Sequence, residues 1–172
     1  GIPRDELNRA FCCMDWGCSA PTTVYLCLPK PAGKAKGSIW LLDEFYVASN
    51  TAGGQRDWTG GAYLSNAEQA AGIIEWLGRW GLTPRTTKVI ADDAVFNATG
   101  GDKGSVAGDF KSSGVRLHRA GKINLREANG LAMVRTMLQA SSRDPETPWL
   151  QWSLSCAGLM ATWPTLPRHP RD

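Results

Sequence analysis

The 172-residue sequence has few of the residues that build zinc sites and disulfide frameworks. Its two histidines, His118 and His169, stand far from the cysteines in sequence, and Cys12, Cys13 and Cys18 do not have the paired spacing of zinc ligands. The five cysteines are an odd number, and several fall in predicted strands, where cysteine behaves as a small buried hydrophobe. We therefore expect neither a structural zinc nor a disulfide-stapled secreted domain, and a reducing cytoplasm fits this composition best.

Long apolar runs and nucleotide-hydrolysis motifs are also missing. No apolar stretch is long enough to span a membrane and no secretory signal is present, so we expect no membrane partner. Residues 100–105 are rich in glycine but lack the Gly-x4-Gly-Lys-Ser/Thr spacing of a Walker A loop, so we expect no ATPase motif in this chain. No Gly-x-Ser-x-Gly elbow or Cys/His pairing supports acyl transfer. The net charge of +3 permits a polyanionic partner without demonstrating one.

Apolar periodicity and turn residues predict one α/β domain with the order β-β-β-α-β-α-β-α. The first three strands form an antiparallel meander, and a strand–helix–strand unit follows, so the sheet is mixed and carries helices on both faces. The helix of that unit is capped by Ser65 or Asn66, and Gly81 lies just past its end. Residues 1–9 are predicted to be a polar lead-in and residues 49–61 a mobile, glycine-rich loop. The predicted strands are 10–16, 24–28, 38–46, 89–91, 115–118 and 149–153, and the later helices are 105–113, 125–140 and 154–163.

Two buried strands each end in an acid. Asp15 follows the apolar run 11–14, and Asp92 follows the run 89–91. If the two strands are neighbours, their terminal carboxylates converge, and acids held that close repel unless a cation or a shared proton lies between them. Hard oxygen ligands suit magnesium or manganese. We therefore predict that Asp15 and Asp92 are catalytic metal ligands.

Two further acids are alternatives for this site. Asp92 and Asp93 point to opposite faces by strand alternation, so only one of them is expected to face Asp15. Glu44 lies deep in a predicted strand and is a second alternative ligand; otherwise it bonds to the sheet edge or to a neighbouring arginine. Its neighbour Asp43 is predicted to face outward.

Basic and aromatic side chains indicate how a nucleic acid would be held. A row of exposed cations would contact phosphates without reading bases, although a solvated basic face is the alternative interpretation. Most of the eight tryptophans are predicted to be core residues, among them Trp40, Trp76, Trp80, Trp149 and Trp152, whereas Trp16 abuts the predicted site. The predicted DNA contacts are Lys30, Lys34, Lys36, Lys103, Arg116, Arg119, Lys122 and Arg126.

The order of these motifs resembles the RNase H-like superfamily, which includes retroviral integrases and Holliday-junction resolvases. Within it, the sequence is most similar to the nuclease domain of the large terminase subunit of tailed bacteriophages, over residues 10–163. The motifs are Asp15-Trp16-Gly17, Leu42-Asp43-Glu44-Phe45-Tyr46, Ala91-Asp92-Asp93-Ala94, Gly114-Val115 and the basic stretch 122–126. The resemblance favours Asp92 over Asp93, which stands where the family often carries proline.

This resemblance implies a metal-dependent endonuclease that cuts concatemeric viral double-stranded DNA during genome packaging. Two divalent ions, Mg²⁺ or Mn²⁺, would be bridged by Asp15 and flanked by Asp92 for two-metal-ion phosphodiester hydrolysis. It also implies an ATPase domain on the same full-length chain, a small terminase subunit and a portal protein as partners, and the cytoplasm of the infected bacterial host as the location. The alternatives are another RNase H-like nuclease, such as a resolvase or an RNA–DNA hybrid nuclease, and a non-catalytic nucleic-acid-binding or assembly module.

The sequence departs from the family in two places. A glycine-rich insertion occupies residues 51–61, and the Asp-His-x-x-Asp-Ala stretch that carries the family's third metal ligand does not occur. We expect residues 1–163 to form the nuclease domain, and the proline-rich tail 164–172 to be truncated before a further acidic helix that supplies that ligand.

Overall fold

The fold is described from a computed structural model, which covers residues 2–30, 37–97, 104–121 and 126–163, with backbone only for residues 126–132. Seven strands form one sheet. The strands are β1 (Phe11–Asp15), β2 (Thr22–Pro29), β3 (Ile39–Asn50), β4 (Arg56–Gly61), β5 (Val89–Ala91), β6 (Leu117–Arg119) and β7 (Leu150–Trp152). The helices are α1 (Arg4–Leu7), α2 (Asn66–Arg79), α3 (Val106–Ser112), α4 (Arg126–Arg143) and α5 (Ala157–Thr162).

The sheet is mixed, as the sequence predicts. Its strand order is β4-β3-β2-β1-β5-β6, and β7 pairs with the first part of β3. Neighbours from β4 to β1 are antiparallel, whereas β5 runs parallel to β1, β6 parallel to β5 and β7 parallel to β3. The predicted meander and the predicted parallel strands are therefore both present, and β1 occupies the centre.

One face of the sheet carries the main hydrophobic core. Cys12 and Met14 of β1 alternate with exposed neighbours and pack with Leu26 of β2 beneath α2 and α3. Ile73 of α2 and Phe110 of α3 are fully buried in the same cluster. This apolar layer supports β1 from one side and leaves the alternate residues of the strand on the other side.

The opposite face is named the Asp15 face, after the residue at the end of β1. Asp15 pairs with Thr23, and Thr23 pairs with Tyr46, so the register places all three on this face. Glu44 of β3 lies on the same face and accepts hydrogen bonds from the first turn of α5. Helices therefore cover both faces, which confirms the predicted layer order.

Helix α2 begins and ends where the sequence predicts. Ser65 and Glu68 form a capping box, in which each side chain accepts the backbone N–H of the other residue. Gly81 takes a left-handed conformation, with φ of +65°, just beyond the helix. The helix buries Ile73, Trp76 and Leu77 against the sheet.

Several boundaries differ from the sequence-based expectation. Residues 49–61 are not a loop throughout, because β3 extends to Asn50 and a short turn leads directly into β4. In that turn the N–H of Thr51 donates to the Gln55 carbonyl oxygen and the N–H of Gly54 donates to the Thr51 carbonyl oxygen. The supposed lead-in contains the short helix α1, whose Leu7 joins the core. The strand predicted at residues 115–118 is β6, two residues later, since Val115 instead packs in the core after the end of α3.

Within the part of the chain that the structure describes, no helix is both long enough and apolar enough to cross a membrane. The predicted tail at residues 164–172 and the hairpin turn at residues 31–36 lie outside the described residues.

Candidate metal centre

The parallel pairing of β1 and β5 brings two acids to the same edge of the sheet. Met14 pairs with Ala91, and Asp15 and Asp92 are the next residues of their chains. Ile90 pairs with Cys13, so by alternation Asp92 is placed on the Asp15 face. Both acids are exposed. The structure therefore brings together the two carboxylates that the sequence singles out.

The electrostatics of Asp15 reflect this proximity. Loss of water on the sheet side raises the pKa of Asp15, and the negative charge of Asp92 raises it further. Both effects disfavour the ionised form, and a bound cation would reverse them. Two carboxylates at an exposed strand end are the hard oxygen donors that Mg²⁺ and Mn²⁺ prefer, so the residues present fit a divalent ion.

A buried polar network fixes the loop that follows Asp15. Thr22 Oγ1 accepts the backbone N–H of Gly17 at 2.9 Å and lies 2.8 Å from both the Gly17 carbonyl oxygen and Gln69 Oε1, to either of which it donates. Gln69 Nε2 donates to the Leu64 carbonyl oxygen at 3.1 Å. Thr22 and Gln69 are each 1% exposed. The network holds the end of β1 against α2, and no sequence motif pointed to it.

The last residue of strand β4 also contacts the loop that follows Asp15. The N–H of Gly61 donates to the Ser19 carbonyl oxygen at 2.7 Å, and a Cβ at position 61 would lie 2.2 Å from the Cys18 carbonyl oxygen. Only glycine allows this approach. The segment predicted to be a mobile loop therefore contributes to the position of the loop after Asp15.

Asp92 and Asp93 have different environments. Asp92 Oδ1 accepts the N–H of Ala94 at 2.9 Å and so caps a short 3-10 turn that follows β5. Asp93 Oδ1 accepts a hydrogen bond from Arg119 at 3.3 Å, and its side chain is mostly buried. The Arg119 guanidinium also stacks over Phe96, 4.4 Å from the ring centroid.

Glu44 is engaged with α5. Its carboxylate accepts the backbone N–H of Gly158 and, at 3.0 Å, that of Leu159. Burial raises the pKa of Glu44, while these two hydrogen bonds act in the opposite direction. Glu44 lies two strands from β1, in the row of Cys13 rather than that of Asp15. That offset corresponds to roughly 10 Å across the sheet.

The expectation that Asp43 faces outward is wrong. Its Oδ2 accepts the indole N–H of Trp76 at 2.9 Å and that of Trp80 at 2.8 Å, beneath α2. Both tryptophans pack on the core, as predicted, but Trp152 is 39% exposed. Asp43 is therefore a partner of the core rather than a candidate ligand.

The described residues supply two acids to the centre and no third. Across the described ranges, no group of three His, Cys, Asp or Glu side chains has the arrangement to hold a metal ion. Residues 164–172, the tail that is expected to precede a third ligand, lie outside the described residues.

The predicted DNA contacts are only partly visible. Arg116 is exposed beside β6, and Arg119 is exposed but paired with Asp93. Lys30 donates to Gln151 Oε1 and lies 5.5 Å from the centre of the Trp40 ring, at the end of the sheet opposite Asp15. Lys34, Lys36, Lys103 and Lys122 lie outside the described residues, as does the side chain of Arg126.

The fold is similar to solved structures of a large terminase from a thermophilic bacteriophage. One crystal form gives a TM-score of 0.60 at 13% identity, with 94% of this chain covering 32% of that chain. A complex with ATP-γ-S gives 0.61 at 14% identity, with 99% covering 34%. No family model and no curated protein sequence matches this chain. The terminase-like fold expected from the sequence is thus confirmed, and the chain spans about a third of the length of the terminase chains it matches.

Proposed function

We propose that this chain is the nuclease domain of a phage-type large terminase, which cuts concatemeric double-stranded DNA during genome packaging. The observation that carries the proposal is the convergence of Asp15 and Asp92 at adjacent strand ends, where loss of water and, to a smaller extent, the charge of Asp92 raise the pKa of Asp15. The terminase-like fold supports it, because the two neighbouring strands that end at the pair belong to a sheet that is matched over 94% of this chain.

Asp15 and Asp92 are the residues that would hold divalent ions, two of which serve phosphodiester hydrolysis in the proposed mechanism. Bound Mg²⁺ or Mn²⁺ supplies Lewis-acid charge where a phosphodiester is cleaved. The protein's own part is to hold the two carboxylates at adjacent strand ends, where a bound cation would favour their ionised forms. The Thr22–Gln69 network and the Gly61 contact hold the Asp15 loop, and the 3-10 turn holds Asp92.

The substrate is held through its phosphates in this proposal. Arg119 lies on β6 opposite Ala91, at the strand end that carries Asp92, whereas Arg116 precedes β6 and lies near the start of β5. Arginine contacts to phosphates give affinity that falls steeply with added salt. We expect the salt dependence of DNA binding to depend on Arg116 more than on Arg119, which already pairs with Asp93.

The wider assembly follows from the same proposal. The terminase chains that this fold matches are about three times longer, so an ATPase domain would accompany this domain on a full-length chain. A small terminase subunit and a portal protein are the further partners, and the cytoplasm of the infected host is the place of action.

One observation favours a second candidate, a non-catalytic nucleic-acid-binding or assembly module. The described residues provide only two converging acids, and a decayed site would look the same. A resolvase or a hybrid nuclease on the same fold is distinguished by its substrate.

A cleavage assay tests these proposals together. The chain is incubated with Mn²⁺ or Mg²⁺ and with linear duplex DNA, an RNA–DNA hybrid or a four-way junction, beside the Asp15→Asn variant. Cleavage of the duplex that is lost in Asp15→Asn supports the terminase nuclease. Preference for the junction or hybrid supports the related nucleases, and salt-sensitive binding without any cleavage, by this chain and by a full-length one, supports the non-catalytic module.

A further inference from the structure

A cleft opens next to the candidate metal centre, on the other side of the β1 end. It has a volume of about 550 Å³ and lies between the loop after β1, the start of α2 and the end of α3. That volume is within the range of small-molecule binding sites. The residues that give it its chemistry are Trp16, Leu64, Asn66, Asp109, Ser112 and Ser113.

Trp16 forms a fixed aromatic wall of this cleft. Its indole Nε1 donates to Asn66 Oδ1 at 3.1 Å, and Asn66 Nδ2 donates to Asp109 Oδ2 at 2.8 Å. The ring also packs partly against the core. Because the indole N–H is already bonded within the protein, what Trp16 offers to a ligand is its apolar ring.

The remaining chemistry of the cleft favours an uncharged ligand that carries hydrogen-bond donors. None of the residues that line it, within the described chain, is lysine or arginine. The carboxylate of Asp109 would repel a phosphate, but it accepts hydrogen bonds from amino groups, as do the hydroxyls of Ser112 and Ser113. An aromatic wall with acceptors opposite suits a planar heterocycle that bears an amino group.

The position of the cleft next to the candidate metal centre indicates that this heterocycle is a DNA base. Trp16 directly follows Asp15 but lines the side of the sheet that α2 and α3 cover, so a strand with a phosphate at the metal centre would pass over the end of β1 to bring a neighbouring base to the cleft. We propose that the Trp16 cleft binds one base of the DNA strand at the cleavage site, stacked on Trp16 and selected for an exocyclic amino group by Asp109. The proposal rests on the proposed nuclease function, and it adds a base preference to a site otherwise expected to read only backbone.

The first test measures binding without cleavage. The chain, kept in EDTA, is titrated with single-stranded octanucleotides of deoxycytidine, deoxyadenosine or thymidine and with an abasic strand of equal length. The indole N–H resonance of Trp16, assigned by its loss in Trp16→Phe, reports occupancy. We expect it to shift with deoxycytidine and deoxyadenosine, less with thymidine, and not with the abasic strand. An equal shift with the abasic strand would overturn the proposal, since that strand carries the phosphates alone.

Variants then separate stacking from amino-group selection. Trp16→Ala should weaken deoxycytidine binding about tenfold, the size of one lost base–aromatic stack, and leave abasic binding unchanged. Trp16→Phe keeps a ring and should retain most of the affinity; Trp16→Leu, which keeps apolar volume without a ring, replaces the alanine variant if that variant does not fold. Asp109→Asn should reduce the preference for amino-bearing bases over thymidine, and an unchanged preference would contradict the role of Asp109.

Trp163→Ala is the matched control, because Trp163 is also partly exposed, at 41%, but its ring contacts that of Trp152 in β7, a strand that pairs with the far end of β3. It should leave all four affinities unchanged; a loss equal to that of Trp16→Ala would indicate general aromatic binding and overturn the site. Because these measurements use no metal, they test the base site independently of cleavage. Base binding without cleavage refutes only the proposed function, and cleavage without base binding refutes only this site.

Discussion

Arg119, on β6, donates a hydrogen bond of 3.3 Å to Asp93, the residue that follows Asp92 after the neighbouring parallel strand β5. The two consecutive acids at the end of β5 therefore make different interactions. Asp93 pairs with a cation of the protein, whereas Asp92 lies on the Asp15 face and caps the 3-10 turn.

This difference predicts unequal effects of the two acids on cleavage. Asp92→Asn should lower the metal-supported cleavage rate by about 100-fold or more, because it removes a charged ligand from the site of charge development. Asparagine still caps the turn, so the fold should be unchanged. Asp93→Asn is the matched control and should change the rate by only a few fold. A plasmid-nicking assay measures both, and a greater loss in Asp93→Asn would show that the wrong acid was assigned.

Asp15 should cost stability at neutral pH. Its pKa is raised in the folded state, so protonation of Asp15 favours folding. This contribution to the free energy of unfolding is fully present below the ordinary pKa of 3.8 and is lost as the pH rises through the pKa of the folded state. Asp15→Asn should therefore increase the free energy of unfolding at pH 7, by less than about 1 kcal/mol because Asp15 is exposed and water screens the repulsion. Urea titrations at pH 7 and pH 3 test this. The gain should disappear at pH 3, and a variant that is less stable than the parent at pH 7 would contradict it.

Divalent ions should stabilise the chain through the same two acids. We expect Mn²⁺ to raise the melting temperature more than Mg²⁺, since Mg²⁺ demands near-ideal octahedral geometry and the described residues provide only two acids. Thermal unfolding with each ion and with EDTA measures the shift. Asp15→Asn and Asp92→Asn should lose it while Asp93→Asn keeps it; an equal shift in all three would place the ions elsewhere.

Asp43 should matter for stability rather than for cleavage. Asp43→Ala leaves the indole N–H of buried Trp76 without its acceptor and should cost about 1–3 kcal/mol. Asp43→Asn keeps one acceptor oxygen and should cost less. Denaturant unfolding measures the difference, and a large loss of cleavage in a fully folded Asp43→Asn would indicate a role at the metal centre instead.

The network under the Asp15 loop should act as a unit. Thr22→Val and Gln69→Met should each destabilise the fold by about 1–3 kcal/mol, because each leaves buried polar groups without partners. The double variant should cost less than the sum, since the two side chains bond to each other. A double-mutant cycle by denaturant unfolding measures the coupling, and strict additivity would show that the network is not shared.

The sequence predicts best what depends on neighbouring residues. The Ser65 cap, the Gly81 end of α2 and the placement of Asp15 and Asp92 after short buried strands all follow from local patterns, and the structure has them in those places. The sequence predicts a loop at β4 because the glycine-rich segment has low strand propensity, whereas in the structure its pairing with β3 makes it a strand.

Contacts between distant residues were beyond the sequence patterns. The pairing register shifts between Leu26 and Cys27, opposite β3, and the acceptor role of Asp43 depends on tryptophans 33 and 37 residues away. The docking of Glu44 on α5 spans 114 residues. Alternation along β3 gives the two faces of the strand, but it does not say which helix will cover each of them.

Because β7 and α5 pack on β3, the order of synthesis determines when this part of the sheet can form. β3 leaves the ribosome long before its parallel partner β7, because the two are separated by the whole β4–α4 stretch. Until β7 arrives, the Ile39–Leu41 edge of β3 lacks the strand that it pairs with in the finished protein, and such an edge is open to pairing with other chains. The carboxylate of Glu44 likewise lacks its hydrogen-bond donors in α5 until that helix has been synthesised. A nascent chain halted before residue 150 should therefore need protection by a chaperone that the released protein does not need.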